Sequence, residues 1–324
     1  MVTMDGSLVE RADRRLTVDT SQVNAIPMKE RSSPDDRVRW RHWRRGQLET
    51  PDYVAEYLLP RITRKIEREW PPFMSRRGDP AQRPTATELA DRVRSLGPWP
   101  LPFRLDHGVV TRPWPMGGRS LARETRDRIL FRQQLITGTV ALLLGDELRD
   151  ATVLDIGCNA GFFSLDLADR GAKHVWGVDL REENIAQARF LAAYYGIDNV
   201  SFEVSDADRL PEEQFDVVLN LGVLYHVTDP LGFMRQTCRL TRQFAVIDTK
   251  AHPEPVSAYL LRCDVDTNVP TEGRESVELQ PTYRGAIDTL RYAGFTELVE
   301  VVGEADPPHG LYESGERRCF LAAR

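Results

Sequence analysis

Residues 151–163 read ATVLDIGCNAGFF, and the fold follows from how this stretch is taken. Val153, Leu154 and Ile156 form a short apolar run interrupted by Asp155. A turn holding Gly157 and Gly161 comes next, and a helical pattern follows at once. That is the pattern of a buried strand feeding a glycine loop and a helix N-terminus, a junction suited to ligands. Asp155 sets the kind of ligand. A carboxylate beside a helix N-terminus suits a cationic amino group and repels a pyrophosphate.

Downstream, strand and helix patterns alternate. Strands are expected over 152–156, 174–178, 200–204, 215–219 and 244–247, with helices over 163–170, 182–195 and 231–240. Such alternation implies a parallel sheet covered by helices on both faces, an α/β doubly wound fold. Residues 251–280 interrupt it with AHPEPVSAYLL and a polar loop, read as a substrate-side lid. A helix over 282–293 and strands over 296–302 and 318–322 close the chain. The last two strands are joined by a loop with no crossover helix, so they can pair only antiparallel.

Upstream, a long helix is expected over 119–148, ending in TVALLLGDEL. Before it lies a proline-rich strap over 97–118, where Phe103, Val109, Val110 and Thr111 favour a short hairpin. Residues 36–96 show apolar positions at helical spacing around Pro60, a small N-terminal helical extension. Residues 1–35 are polar and aperiodic, the composition of a flexible arm. The organisation expected is thus an arm over 1–35, an extension and strap over 36–118, and a main domain over 119–324 with the 251–280 insertion.

At 324 residues and 41% hydrophobic content the chain can build a large core. No stretch approaches the roughly 18 apolar residues of a membrane helix, and the first thirty residues carry Asp5, Glu10, Asp13 and Asp19 where a signal peptide needs an apolar region. A cytoplasmic location is expected. Four scattered cysteines with no CxxC pair indicate neither a zinc site nor a disulfide framework. Net charge is −6, yet residues 36–105 hold 15 Lys+Arg against 9 Asp+Glu. The run RVRWRHWRR over 37–45 can hold phosphates and stack bases, or its Trp40 and Trp43 can dock on the main domain.

A doubly wound sheet binds its ligand at the carboxyl ends of its strands. The first strand supplies Asp155, Gly157, Asn159 and Gly161 there, the second Asp179, the third Asp206 and Ala207, and the fourth Asn220, Leu221, Tyr225 and His226. Asp179 stands 22 residues beyond Gly157, a spacing at which an acid reaches a ribose diol. A dinucleotide loop needs G-x-G-x-x-G, and Asn159 replaces its second glycine, which argues against NAD.

Val153 to Gly161, Val178-Asp179, Asp206 and Phe215-Asp216-Val217-Val218 together resemble the class I S-adenosylmethionine-dependent methyltransferases. The resemblance covers residues 120–324. It implies a seven-stranded Rossmann-like sheet with an antiparallel last strand, and S-adenosyl-L-methionine as cofactor. The glycine loop would pass under the methionine part, and Asp155 would sit near the sulfonium or amino end. Asp179, with Leu180 beside it, would hold the ribose hydroxyls, and Asp206 with the Ala207 backbone the adenine. Asn220 and Leu221 would complete the binding set. The departure is Asn159, with the flanking glycines kept.

Leu221-Gly222-Val223-Leu224-Tyr225-His226, Asp229-Pro230-Leu231, Gly97-Pro98-Trp99 and Gly108-Val109-Val110-Thr111 look like the group around the tRNA wobble-uridine carboxymethyltransferase. Where that enzyme has a lysine before its Gly-Pro pair this chain has Leu96, and where an arginine follows its Tyr-His this chain has Val227. Without those cations a carboxylated cofactor loses its charge partners, which favours ordinary S-adenosylmethionine.

Methyl transfer from a sulfonium needs an aligned acceptor and, for a hydroxyl, removal of its proton. His226 has the unperturbed pKa of a general base, or it can simply cap or pack the following helix; Tyr225 can orient acceptor or cofactor. Asp248 and Lys250, at the fifth strand's end, face the same rim. Asp264 to Glu275 echoes a calcium loop, but Val269 and Pro270 stand where the turn needs glycine, so no metal is expected. Three readings remain open: a methyltransferase acting on a hydroxyl or amine of a small-molecule, natural-product-like acceptor; a tRNA-modifying methyl- or carboxymethyltransferase; and a non-catalytic cofactor-binding scaffold.

Overall fold

The computed structural model describes residues 15–18, 83–101, 103–111, 129–206, 209–210, 212–263, 277–303 and 310–324. Strand β1 is Arg15–Val18, helix α1 Ala86–Ser95 and helix α2 Thr139–Leu144. The alternating region holds β2 (Thr152–Ile156), α3 (Phe162–Asp169), β3 (His174–Asp179), α4 (Glu182–Tyr195), β4 (Val200–Val204), β5 (Phe215–Leu221), α5 (Pro230–Leu240) and β6 (Thr241–Lys250). Strands β7 (Tyr259–Cys263) and β8 (Val277–Pro281) form a separate two-stranded sheet. Helix α6 (Tyr283–Ala293), β9 (Glu297–Gly303), α7 (Gly310–Glu313) and β10 (Arg317–Ala323) complete the chain.

The main sheet has the order β1-β9-β10-β6-β5-β2-β3-β4. Strands β2 to β6 run parallel to their neighbours, and β10 is antiparallel to both β6 and β9. This is the doubly wound α/β sheet expected, with strand order reversing beside β2. The central strands are near-continuous apolar runs because helices cover both faces. Val153, Leu154, Val217, Val218 and Leu219 are all fully buried, each such side chain contributing roughly 1.5–3 kcal/mol. Val153, Val217 and Leu219 pack toward α3 and α4, while Leu154, Ile156 and Val218 pack toward α5 and α6. Two groups of alternating residues on one sheet thus build two cores.

Element ends have local causes. Helix α1 opens on a capping box, in which Thr85 Oγ1 accepts from Glu88 N while Glu88 accepts from Thr85 N. Thr282 caps α6 in the same way through Gly285 N.

Three expectations change. Arg15–Val18 is a strand that pairs parallel with β9, from Arg15↔Glu300 to Val18↔Gly303, where the sequence suggested only an arm. Four residues are too few to show periodicity, and a neighbouring strand supplies their order. The expected 119–148 helix, whose residues 119–128 lie outside those described, is helical at 129, passes through a π-turn over Gln134–Gly138, and stops at Leu144, where Gly145 takes a positive φ. A 3-10 turn, Gly145–Asp150, then leads to β2. The insertion is an antiparallel hairpin with the register Tyr259↔Pro281 to Cys263↔Val277, not a polar loop alone. Of the extension over 36–96, α1 is the helix that falls among the described residues; Arg37 to Arg45 with Trp40 and Trp43, and Asp264 to Glu275, lie outside them. The strap does form a short hairpin, with Arg104 bridged to Val110 and Trp99 and Phe103 buried.

Candidate functional site

The carboxyl ends of β2 and β3 are tied together by the glycine loop. Gly157 N and Cys158 N both donate to Val178 O, at 2.8 and 2.9 Å. Gly157 has φ +71°, and a Cβ there would lie 2.4 Å from Val223 Cγ2. Glycine is required both for the backbone shape and for the approach of the loop after β5. Asn159 also sits in the left-handed region, at φ 55°. Asparagine tolerates that conformation better than other side-chain-bearing residues, and its Oδ1 accepts from Ala160 N at 2.7 Å. The substitution of the middle glycine is therefore absorbed locally.

Asp179 grips this loop from the end of β3. Its Oδ2 accepts from Asn159 N at 2.9 Å, and its Oδ1 from Arg181 N at 2.9 Å and Asn184 Nδ2 at 3.1 Å. Burial nevertheless pushes its carboxyl above the usual range, outweighing those donors. Asp155 lies beneath the loop and does not line its open face: it is buried and accepts from Ser164 Oγ at 2.5 Å. Burial, reinforced by the charge of Asp179, pushes it up to about 6. Asp206 is exposed just past β4, where Ser205 N donates to Asp179 O; Leu180 is half-buried, and Ala207 lies outside the described residues. The Asn220 side chain turns away from the loop, its Nδ2 contacting Thr237 Oγ1 of α5 at 3.4 Å. Its buried Oδ1 has no hydrogen-bond partner among the described residues. What Asn220 and the half-buried Leu221 present to the rim is strand-end backbone.

A different assembly occupies the ends of β5, β6 and β10. Asp248 is fully buried between two guanidinium groups: Arg132 reaches its Oδ1 at 3.0 Å, and Arg317 Nε the same oxygen at 2.6 Å. Tyr312 donates to Oδ2. Burial would raise the Asp248 carboxyl, yet Arg132 and Arg317 hold it below the usual range. Both oxygens of Asp248 are thus engaged by this internal network. Gly222, at φ +86°, leaves room for Arg317 and Tyr225, whose atoms would lie 2.9 and 3.2 Å from a Cβ.

Tyr225 and His226 stand on a 3-10 turn, Leu224–His226, with ring centroids 4.3 Å apart. Lys250 Nζ lies 4.4 Å from the Tyr225 ring centroid and 2.7 Å from Glu278 Oε1 on β8. His226 Nδ1 is 3.7 Å from that same Glu278 oxygen. Burial depresses the His226 pKa to about 4, with Glu278 opposing the shift and Lys250, Arg317 and Arg181 adding to it. The imidazole is therefore neutral at neutral pH.

The structure thus brings Asp155, Gly157, Asn159, Gly161 and Asp179 together, and sets Tyr225 and His226 on the neighbouring part of the rim. Sequence reading missed Arg132, Tyr312, Arg317 and Glu278. A weak signal existed in the charged Glu316-Arg317-Arg318 run at the start of the last strand. None marked Arg132 or Glu278. No group of three or more His, Cys, Asp and Glu residues that could hold a metal occurs among the described residues. No helix there is long and apolar enough to cross a membrane.

Residues 148–264 match the family model described as a methyltransferase domain. Among curated relatives, a ubiquinone biosynthesis O-methyltransferase of Ruegeria pomeroyi is 44% identical over 87 residues, 26% of this chain and 34% of that protein. One from Neisseria meningitidis is 33% identical over 99 residues, 30% of this chain and 42% of that protein. A tRNA U34 carboxymethyltransferase of Idiomarina loihiensis is 33% identical over 101 residues, 30% of this chain and 31% of that protein. In each case the match spans less than half the relative's own length. Among solved structures, the N-terminal domain of EvdMO1, determined in the presence of SAH and D-fucose, superposes with TM-score 0.55 at 20% identity. That likeness covers 76% of this chain and all of that domain, and it shows a shared fold.

The residues present fit the cofactor of such domains. Asp155 and Asp179 are two buried carboxylates, each raised mainly by burial, and the charge of Asp179 adds to the rise of Asp155, an arrangement relieved by a ligand that is cationic at its sulfonium and amino groups and opposed by a pyrophosphate. Gly157 and Asn159 both take left-handed φ values, and the bonds from Gly157 N and Cys158 N to Val178 O hold the loop backbone against the sheet. Residues 148–264, set inside this sheet, thus match a methyltransferase domain, the kind whose methyl donor is S-adenosylmethionine.

Proposed function

We propose that this chain transfers a methyl group from S-adenosylmethionine to a hydroxyl or amine of a small-molecule acceptor. The observation that carries the reading is the adjacency of two unlike sites on one rim. An acidic cradle stands at the ends of β2 and β3, and a neutral, half-buried histidine stands beyond β5. The relatives named as O-methyltransferases support an oxygen acceptor.

When bound, the cofactor supplies an electrophilic methyl on a sulfonium leaving group. In this reading the charge of Asp155 holds the cationic end from below the loop, and Gly157, Asn159 and Gly161 shape the floor. Asp179 retains acceptor capacity for the ribose hydroxyls, since a carboxylate offers about four lone-pair sites and three are used. Leu180 stands beside Asp179 at the ribose, Asp206 meets the adenine, and the backbone of Asn220 and Leu221 closes the fourth strand end. His226 takes the acceptor's proton as the new bond to the methyl carbon forms, and Tyr225 orients the acceptor. Because the ring is neutral, no prior deprotonation is needed.

Calorimetry with S-adenosylmethionine, using the whole chain and Asp179→Ala, tests the cradle; absence of binding, or binding that the substitution leaves unchanged, removes the proposal. Incubating the chain with methyl-labelled cofactor and a metabolite extract, then locating the label by mass spectrometry, identifies the acceptor. A second reading, tRNA modification, is favoured by the likeness to the carboxymethyltransferase and by the basic 37–45 stretch. It requires affinity for bulk tRNA that falls steeply with salt, and label in the RNA fraction instead of the metabolites.

A further inference from the structure

The inserted hairpin does more than lie beside the rim. Strand β8 packs on the 3-10 turn that carries His226, and the residue it delivers there is a carboxylate, Glu278, only 2% exposed. Buried carboxylates persist only with partners. Lys250 Nζ meets Oε1 at 2.7 Å, and Arg262 approaches Oε2 at 3.6 Å from the facing strand β7. His226 Nδ1 stands 3.7 Å from Oε1. That is longer than a hydrogen bond, and roughly half an ångström of closure brings it into range; such bonds often tighten only when a site is filled.

We propose that Glu278 is a positioning residue for His226: its carboxylate holds the imidazole as the Nδ1–H tautomer and so leaves Nε2 as the atom that accepts the acceptor's proton. The inference rests on the reading of His226 as the base. Its chemistry follows from the two ring nitrogens being distinct, the hydrogen bond made by one deciding the protonation of the other. The groups around His226 are the Tyr225 ring, Glu278, and the cations Lys250, Arg317 and Arg181. Three cations disfavour the imidazolium, and Glu278 offsets them while fixing the ring. Lys250, bound to the same oxygen, keeps the carboxylate in place on the turn. The hairpin would thus link acceptor-side structure to proton transfer without touching the cofactor.

Nitrogen-15 NMR of ring-labelled histidine in the full chain at pH 7 tests this, with the His226 signal assigned by its loss in His226→Gln. The expected result is an Nδ1–H ring in the native chain and a shift to predominantly Nε2–H in Glu278→Leu. Glu278→Gln, whose amide oxygen can still accept, should give a mixture, and it decides the matter if the leucine variant does not fold. Amide spectra and S-adenosylmethionine binding report on folding of each variant. An Nε2–H ring in the native chain, or a tautomer unmoved in the folded variants, overturns the proposal. Methyl transfer by His226→Gln is read separately. Unchanged turnover there would remove the role of His226 as base while leaving the tautomer result standing.

Discussion

At the ends of β2 and β3 the working groups are close neighbours in sequence: Asn159 N donates to Asp179 across 20 residues, and the loop between strands shapes itself with backbone hydrogen bonds. At the ends of β5, β6 and β10 the chemistry is assembled from afar. Arg132 reaches Asp248 across 116 residues, and Arg317 reaches it across 69. The first region is acidic and its carboxylates sit above their usual pKa range; the second is rich in guanidinium groups that hold Asp248 below its own. Backbone geometry makes one, and side-chain pairing makes the other. The difference teaches that the glycine loop tolerates change around it, whereas the rim at β5, β6 and β10 is bound into the stability of the sheet.

The largest effect should come from breaking the second region. Asp248→Ala leaves two buried guanidinium groups without their anion, and urea unfolding should show a loss of about 3–5 kcal/mol. An unchanged midpoint would erase the contrast. Asp179→Ala should weaken S-adenosylmethionine binding roughly tenfold or more by calorimetry, since hydrogen bonds to a charged group are worth about 1.5–3 kcal/mol. Gly157→Ala forces a Cβ to within 2.4 Å of Val223 at a positive φ, and thermal unfolding should show about 1–3 kcal/mol of destabilisation. Adding Val223→Ala should return the steric part, leaving the backbone strain.

The smallest effects, in pH, separate the regions most cleanly. Asp155 titrates near 6 in the folded chain, above its ordinary value of 3.8. Affinity for the cationic cofactor should therefore rise several-fold from pH 5 to 7, and the apo protein loses the corresponding stability as pH rises through 6. His226 moves the other way. Its folded pKa of about 4 lies below 6.5, so its contribution to stability is complete above 6.5 and is lost as pH falls toward 4. At saturating cofactor and acceptor, methyl transfer should stay level down to pH 5 and fall only near 4. A rate that drops between 7 and 6 would mean a different proton acceptor.

The same contrast explains what the sequence revealed. Strand β4 and helix α4 carry the limits expected of them, because turn residues and apolar periodicity are local. Asp179 was legible from its distance to the glycine loop. The displacement of Asn220 toward Thr237 was not, since strand polarity alone does not tell which face a residue at the end of a parallel strand presents. Arg132, Arg317 and Glu278 were invisible for a further reason. Each looks like an ordinary charged residue on a solvated element, and only the packing of distant strands buries it beside a partner. The π-turn over Gln134–Gly138 was equally hidden. It coincides with Thr137 and Gln133 both donating to Asp166 of α3, a tertiary requirement with no periodic signature.

Strand β1 carries a practical lesson for anyone trimming this protein. Strand β9 has β10 on one side and Arg15–Val18 on the other, so removing the first eighty or so residues would strip the sheet of its outermost ladder. The exposed amides and carbonyls of β9 would then form a template for other chains. A shortened version beginning just before α1 keeps Asp155, Asp179 and His226 and should still behave poorly in the tube, self-associating at lower concentrations than the full chain.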